Sequence, residues 1–204
     1  MKTKKRLAAL LTASVMTAAL TVSTAAADLR HTVVPGDTMW KLAVRYQVGT
    51  SEIIAANPQI ANPNLIYPGQ VLNIPQVSDT VLSYEAEVVR LVNEVRAENG
   101  LKALSANWEL SRVARYKSED MANRKYFSHT SPTYGTPFEM MRAFGLSYRT
   151  AGENIAYGQR TPAAVVDAWM NSSGHRANIL NASYTQIGVG YCASGNYWTQ
   201  MFIG

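Results

Sequence analysis

The sequence is poor in cysteine and histidine. Its 204 residues include one cysteine, Cys192, and three histidines. A single cysteine excludes an intramolecular disulfide, so packing has to supply the stability of the fold. Cys192 lies in the apolar run IGVGYCA, which indicates a packed small side chain rather than a reactive thiol. The pattern Gly-x-Ser-x-Gly is absent as well, which disfavours a serine hydrolase although Ser128 directly precedes His129.

Charge is also scarce outside the N-terminal segment. The basic start MKTKKR precedes a short, alanine-rich apolar run and the small residues STAAAD. This layout predicts a secretory signal peptide at residues 1–27, cleaved after Ala27; a retained membrane anchor is the alternative, which the short apolar run disfavours. Four of the 19 Lys and Arg lie in residues 1–27, so 15 face 14 Asp and Glu in the remainder, a net charge of +1. We therefore expect no nucleic-acid partner and no stable membrane anchor.

Residues 31–75 predict a small domain of order β-α-α-β. A β-branched run at residues 32–34 begins it, two helices with apolar residues at helical spacing follow, and the strand VLNIP ends it. The residues that turn the chain or cap these helices are Pro35-Gly36, Asp37 or Thr38, Gly49, Thr50 or Ser51, Asn57-Pro58 and Tyr67-Pro68-Gly69.

Three motifs of this stretch, VVPGDTMWKLAVRYQV, EIIAANP and IYPGQVLNIP, together resemble the LysM domain. The resemblance implies binding of glycans that contain N-acetylglucosamine, chiefly peptidoglycan or chitin. It places one wall of a glycan groove on the first strand–helix loop and the other on the loop before the last strand. The residues that it assigns to these walls are Gly36, Asp37 and Thr38, opposite Ile60, Ala61, Leu65 and Ile66. The alternative is that residues 36–38 only turn the chain and cap a helix, and both roles can hold together.

A second, larger domain is predicted at residues 83–204, after a linker at residues 76–82. Its helices are followed by a C-terminal hairpin, which favours an α+β fold with a helix-covered sheet. The signals are a helix through Val88 and Val95 that closes at Gly100, a helix from Asn107, a capping box at Thr136-Pro137-Phe138-Glu139, a helix from Thr161-Pro162 to Ser173-Gly174, and the strands QIGVGYCA and YWTQMFIG around Ser194-Gly195-Asn196.

Polar residues stand in unusual places in this second domain. Glu153 lies beside the apolar run of AGENIAYG, where a charge needs a partner, and the domain has two histidines, His129 and His175. The spacing of these residues does not by itself bring them together.

The motifs LVNEVRAENGL, YFSH, AGENIA, AWMNSSGHRANIL and IGVGY with YWTQMF occur in the order that is typical of the CAP domain. The chain resembles this superfamily of cysteine-rich secretory, antigen 5 and pathogenesis-related proteins, and more closely its bacterial members without disulfides. The resemblance implies an α-β-α sandwich with a cleft of two histidines and two acids. His129, Glu153 and His175 match three of these positions. The second acid falls at Ser172, which weakens any mechanism that needs two carboxylates.

The resemblance therefore predicts that His129, Glu153 and His175 share one cleft, within about 8 Å of one another. Two imidazoles and a carboxylate are a possible ligand set for a divalent cation such as zinc, although no cofactor is required and no catalytic residue is assigned. The alternative is structural: Glu153 accepts backbone hydrogen bonds and fixes a loop, while the histidines only bond to it.

The predicted signal peptide and the two resemblances together favour an exported, cell-wall-associated protein. LysM binds the glycan, and the CAP domain has a non-catalytic or weakly catalytic role toward a ligand, a metal or an envelope protein, with the spore envelope as one location. A metal-dependent peptidoglycan hydrolase is the first alternative, and release of soluble wall fragments distinguishes it. A lipid- or sterol-binding CAP protein is the second, and an apolar cavity in the domain distinguishes it.

Overall fold

A computed structural model describes residues 29–204, and the predicted signal peptide lies outside these residues. The predicted α+β class is confirmed. The elements are β1 (Leu29–Thr32), α1 (Met39–Tyr46), α2 (Thr50–Ala55), β2 (Val71–Ile74), α3 (Asp79–Glu98), β3 (Ser105–Ala106), α4 (Trp108–Arg124), α5 (Pro137–Ala143), β4 (Ala151–Tyr157), α6 (Pro162–Met170), α7 (Ser173–Ile179), β5 (Gln186–Cys192) and β6 (Tyr197–Ile203). Within residues 29–204, none of the helices combines the length and the apolar character that a membrane crossing needs.

The N-terminal domain has the predicted β-α-α-β order. β1 and β2 pair antiparallel, and a small apolar core lies between this ribbon and the two helices. Asn57, which is 1% exposed, fixes the arrangement. Its amide donates to the carbonyls of Ile53 and Asn73 at 2.7 Å each, and its oxygen accepts from the backbone N–H of Asn73 at 2.8 Å. One side chain thus ties the end of α2 to β2.

Two boundaries of this domain differ from the prediction. The first strand is β1 at Leu29–Thr32 rather than residues 32–34, since the chain turns toward Gly36 just after it. Gly49 occupies the N-cap of α2, where Thr50 or Ser51 was expected, and no side-chain hydrogen bond from the described chain caps this helix. A Cβ on Gly49 would lie 2.0 Å from the Glu52 carboxylate and 2.2 Å from the Arg112 guanidinium, so a side chain there would have to displace this ion pair.

The C-terminal domain is the predicted α-β-α sandwich. Its sheet has the strand order β3-β5-β6-β4, with β6 antiparallel to both neighbours and β3 parallel to β5. α3 and α6 cover one face and form a core around Trp169 and Trp198. α4 and α5 cover the other face and pack Leu110, Met140 and Met201 together.

α4 approaches the sheet unusually closely because two glycines face it from β5. A Cβ on Gly188 would lie 2.4 Å from the Leu110 backbone carbon, and one on Gly190 would lie 2.1 Å from that of Ala114. Alternate residues of a strand share one face, so this pair leaves a flat strip for the helix.

The predicted caps Asn107, Thr136 and Thr161 begin α4, α5 and α6, and the capping box with Glu139 is formed. The C-terminal hairpin of β5 and β6 is also confirmed. Four features were missed or have other bounds than predicted, and the first is the two-residue strand β3, which was not predicted. AGENIAY, to which no strand was assigned, forms β4; the helix from Thr161 ends at Met170 and a separate α7 begins at Ser173; and α3 begins at Asp79, inside the predicted linker at 76–82.

β4 is an edge strand, and side chains cover its backbone. The carbonyls of Ala151, Glu153 and Ile155 accept hydrogen bonds from the Tyr184 hydroxyl at 3.1 Å, the Asn178 amide at 3.2 Å and the Trp169 indole at 3.3 Å. Covering an edge in this way prevents pairing with another chain and holds the backbone of Glu153 in place.

The two domains contact each other through Arg112 of α4 and Glu52 of α2. The guanidinium donates to both carboxylate oxygens, with a distance of 2.7 Å from Nη2 to Oε2, and also to the Ser51 hydroxyl at 3.0 Å. Burial alone would raise the pKa of Glu52, but the hydrogen bonds from Arg112 and Ser51 and the charge of Arg112 outweigh burial and lower it. This bidentate pair fixes α2 against α4.

Candidate functional site

The turn between β1 and α1 is held by the Asp37 side chain, which is 4% exposed. Its Oδ2 accepts from the Val34 backbone N–H at 3.0 Å and contacts His31 Nε2 at 2.8 Å, while Arg45 lies 3.6 Å from Oδ1. The hydrogen bonds from the Val34 backbone and from His31 lower the pKa of Asp37. The Asp37 carboxylate therefore stabilises the turn and is not free to face a ligand.

Gly36 and Thr38 complete this turn. Gly36 has φ of +89°, a conformation that favours glycine, and its carbonyl accepts from the Lys41 ammonium at 2.6 Å. The Thr38 hydroxyl caps α1 by accepting from the Lys41 backbone N–H at 3.1 Å. The side chains of Asp37 and Thr38 thus have the roles of the alternative prediction, in which they turn the chain and cap a helix. The backbone of Gly36 is exposed and remains accessible to a ligand.

The opposite loop presents a mixed surface. Ala61 and Leu65 are exposed, whereas Ile60 and Ile66 are half-buried and pack on the domain core. Two exposed residues that were not predicted, Val34 and Tyr67, belong to the same region, because the segment at 67–70 is hydrogen-bonded to the backbone of Val33. The sequence contained a signal for both, because each is an apolar residue directly before a Pro-Gly turn, where burial is not expected.

In the C-terminal domain the structure brings Glu153 and His129 together. His129 Nδ1 lies 2.7 Å from Glu153 Oε1. The Glu153 side chain is 1% exposed and that of His129 is 54% exposed. Oε2 of Glu153 is buried and has no hydrogen-bond partner among residues 29–204. The pair thus has one end in the domain interior and one end open to solvent.

Two buried charged residues of α4 position the loop that carries His129. Lys117, 1% exposed, donates from Nζ to the carbonyls of Ser128 and His129 at 2.7 Å each. Asp120 accepts from the hydroxyls of Tyr126, Ser131 and Thr133 at 2.6–2.7 Å. Sequence reasoning missed both residues. The available signal was the place of Lys117 on the apolar face of α4, three residues after Ala114 and four before Met121.

The pKa shifts follow from this burial. Burial raises the pKa of Glu153, and the hydrogen bond from His129 and the charge of Lys117 oppose the rise only in part. Burial also lowers the pKa of Lys117, against the charges of Glu153 and Asp120. The pKa of His175 is lowered by burial and by the charge of His129, which favours a neutral imidazole at pH 7. A buried carboxylate with a raised pKa beside an open imidazole is able to hold or exchange a proton.

His175 lies on α7, and its connection to the pair runs through amide side chains. Asn154 donates to the His175 carbonyl at 3.0 Å, and Asn178 donates to the backbone carbonyl of Glu153 and to the side-chain oxygen of Asn154. In the part of the chain that the structure describes, no group of three or more His, Cys, Asp or Glu side chains is arranged to hold a metal ion. A divalent cation such as zinc at His129 and His175, with Glu153 as a third ligand, stays a prediction that this arrangement of side chains does not support with a formed three-ligand group.

The sequence model of the cysteine-rich secretory protein family, CAP, matches residues 89–202. This chain belongs to that family. A LysM domain matches residues 31–75, so the predicted order of a LysM domain followed by a CAP domain is confirmed.

Relatives agree with this assignment. The chain is 52% identical over 155 residues to the protein YkwD of Bacillus subtilis, which covers 76% of this chain and 60% of that protein. An extracellular protein with an SCP domain from Bacillus anthracis superposes with a TM-score of 0.59 at 32% identity, over 67% of this chain and 47% of that chain. The spore coat assembly protein ExsA of Bacillus cereus is 42% identical over 48 residues, which are 24% of this chain and 8% of ExsA. The chain thus spans less than two thirds of each of these relatives.

Proposed function

We propose that this chain is an exported, wall-associated protein that binds N-acetylglucosamine-containing glycan, such as peptidoglycan, through its LysM domain. The CAP domain adds a cleft at His129 and Glu153 that binds a ligand or an envelope protein. The observation that carries the proposal is the LysM match over residues 31–75, whose loops at 34–38 and 60–67 are held by internal hydrogen bonds while Val34, Leu65 and Tyr67 stay exposed. Preformed loops with exposed apolar side chains bind a sugar with little loss of conformational entropy.

Replacing Leu65 with aspartate is expected to weaken binding of the full chain to insoluble peptidoglycan about tenfold or more. Leu65 is 50% exposed, so the substitution leaves the domain core intact while it removes apolar contact area and adds a charge that the ligand must desolvate. Co-sedimentation with purified wall material measures the loss. Leu82→Asp is the matched control, because Leu82 is 43% exposed on α3 of the CAP domain. Equal binding by both variants would contradict the assignment of the groove.

A wall hydrolase is the second candidate, and one observation favours it. Glu153 is a buried carboxylate with a raised pKa and an unpartnered oxygen, which are properties of a general acid or base. Against it, the described side chains supply no three-ligand metal set, and Ser172 stands where many relatives were expected to carry a second acid. We therefore favour binding over catalysis at this cleft.

The wild-type chain is expected to release no soluble fragments from purified peptidoglycan above the level of a Glu153→Gln variant. The glutamine side chain keeps an oxygen that accepts a hydrogen bond from His129, but it does not take up a proton. The variant therefore removes acid–base catalysis while it keeps the hydrogen bond of the site. Chromatography of the supernatant measures the fragments. Release by the wild type that disappears in Glu153→Gln would establish the hydrolase instead.

The similarity to ExsA supports a location in the spore envelope, since that relative is a spore coat assembly protein and its match has the length of one LysM domain.

A lipid- or sterol-binding role receives less support. A cavity of about 470 Å³ lies beside the loops at 100–105 and 182–185, and its lining is mixed. Leu101, Ala103 and Tyr184 are apolar, but an apolar ligand there would also have to cover the charged Arg96 and Lys102.

A further inference from the structure

α1 carries apolar side chains on the face that the LysM core does not use. Met39, Leu42 and Ala43 point into the core, whereas Trp40 is 67% exposed, more than any other large apolar side chain in residues 29–204. Val44, one turn further along, is 41% exposed. An exposed tryptophan beside a second exposed apolar residue, on a helix face that the core does not use, is a candidate binding surface when it lines a groove.

Trp40 and Val44 line a groove between the two domains. The opposite wall is the start of α4, with Trp108, Glu109 and Arg112, and the groove has a volume of about 410 Å³. Cavities of about 300–1,000 Å³ at domain interfaces are common ligand sites.

The groove is polar as well as aromatic, and one of its walls is rigid. Thr50 and Ser51 line it, and the Ser51 hydroxyl is hydrogen-bonded to Glu52 and Arg112. Arg112 is held by Glu52 of the other domain and lies 5.0 Å from the centre of the Phe144 ring, so its orientation is fixed from two sides. A sugar ring has an apolar face of C–H groups and a rim of hydroxyls, and tryptophan faces with hydroxyl and charged partners match both features.

The groove and the glycan surface assigned to LysM share the start of α1 but lie on different sides of it. Trp40 follows Thr38 by two residues, which is about 3 Å along the helix axis and about 200° around it, so the two side chains point to opposite sides of the helix. A polymeric glycan that contacts the turn at residues 36–38 therefore has to pass around the start of α1 to reach Trp40. A lipid or an apolar peptide would cover the Arg112–Glu52 ion pair and the Glu109 carboxylate without offering them hydrogen bonds.

We propose that this interdomain groove is a second saccharide subsite, in which Trp40 and Trp108 stack on sugar rings of the glycan chain that LysM binds. The inference rests on the proposed glycan-binding function. It makes the CAP domain part of the glycan site and explains why Arg112 and Glu52 hold the domains together at this point.

Trp40→Ala in the full chain is expected to weaken binding of a long chitin oligosaccharide by about two- to tenfold and to leave a disaccharide unaffected, with Trp40→Tyr retaining most of the affinity. Acrylamide quenching of tryptophan fluorescence gives a second readout. Trp169 and Trp198 are 1% and 0% exposed, so protection by the long oligosaccharide reports on Trp40 and Trp108. An unchanged melting temperature of Trp40→Ala shows that the fold is intact.

If Trp40→Ala binds the oligosaccharide as well as the unaltered chain does, the proposed second subsite is wrong. The same holds if the oligosaccharide does not reduce acrylamide quenching. If Leu65→Asp still loses wall binding in that case, the LysM function stands and only the second subsite fails. If the unaltered chain binds neither oligosaccharide nor wall, both proposals fail.

Discussion

Replacing Gly190 with alanine is expected to lower the free energy of unfolding of the CAP domain by about 3 kcal/mol or more. The new Cβ would lie 2.1 Å from the backbone carbon of Ala114 and the backbone nitrogen of Arg115. Backbone atoms of a helix are unable to rotate away as a side chain does, so α4 has to move away from the sheet as a body. That movement also disturbs the core on its face and the positions of Lys117 and Asp120.

Urea denaturation of the full chain measures this loss, and Gly174→Ala is the matched control. Gly174 lies in α7 with no described atom within 4 Å of its Cβ position, so alanine there is expected to be neutral or slightly stabilising. Gly188→Ala is expected to resemble Gly190→Ala, because its Cβ would lie 2.4 Å from the α4 backbone. A stability of Gly190→Ala equal to that of Gly174→Ala would mean that the close approach of α4 is wrong.

Local signals predicted the parts of the fold that depend on local chemistry. Asn107, Thr136 and Thr161 cap helices by hydrogen bonds to residues three positions further on, so their role is visible in a short window of sequence. The hairpin of β5 and β6 was visible for the same reason, since its turn residues lie between two apolar runs.

Non-local pairing decided the elements that were missed. AGENIAY contains one β-branched residue, Ile155, and a charged one, Glu153, so its strand propensity is low. It becomes β4 because β6 pairs with it along its whole length and side chains from α6 and α7 cover its carbonyls. α7 follows α6 closely, and the extended backbone of Ser172, with ψ of 121°, separates them.

Only the residues of the candidate site that lie in the family motifs could be predicted from the sequence. These motifs indicated His129 and Glu153, and the structure adds the reason that this pair holds its geometry. The supporting residues Lys117 and Asp120 lie on α4, remote from the motifs, and a buried lysine on an apolar helix face is the one sequence feature that points to them. The glycines at 188 and 190 are a similar signal, because two glycines on one face of a strand indicate close approach of another backbone.

Replacing Lys117 with methionine is expected to destabilise the CAP domain by about 2–3 kcal/mol, since the carbonyls of Ser128 and His129 lose a charged donor while the apolar volume is kept. The same change removes the positive charge that favours ionised Glu153, so the pKa of Glu153, already raised by burial, should rise further. Lys102→Met is the control, because it removes an equal charge from an exposed position.

The raised pKa of Glu153 determines how its contribution to stability changes with pH. A carboxyl whose pKa is higher in the folded state than its ordinary value of 4.5 binds a proton more tightly when folded. Its contribution to stability is therefore present below that ordinary value and is lost as pH rises through the folded pKa. Lys117→Met should extend this loss to higher pH, Glu153→Gln should abolish it, and Lys102→Met should leave it unchanged. Urea unfolding at several pH values, with NMR titration of the Glu153 carboxyl carbon, measures both effects. A Glu153 pKa that does not move in Lys117→Met would mean that Lys117 holds the loop of His129 without acting electrostatically on the pair.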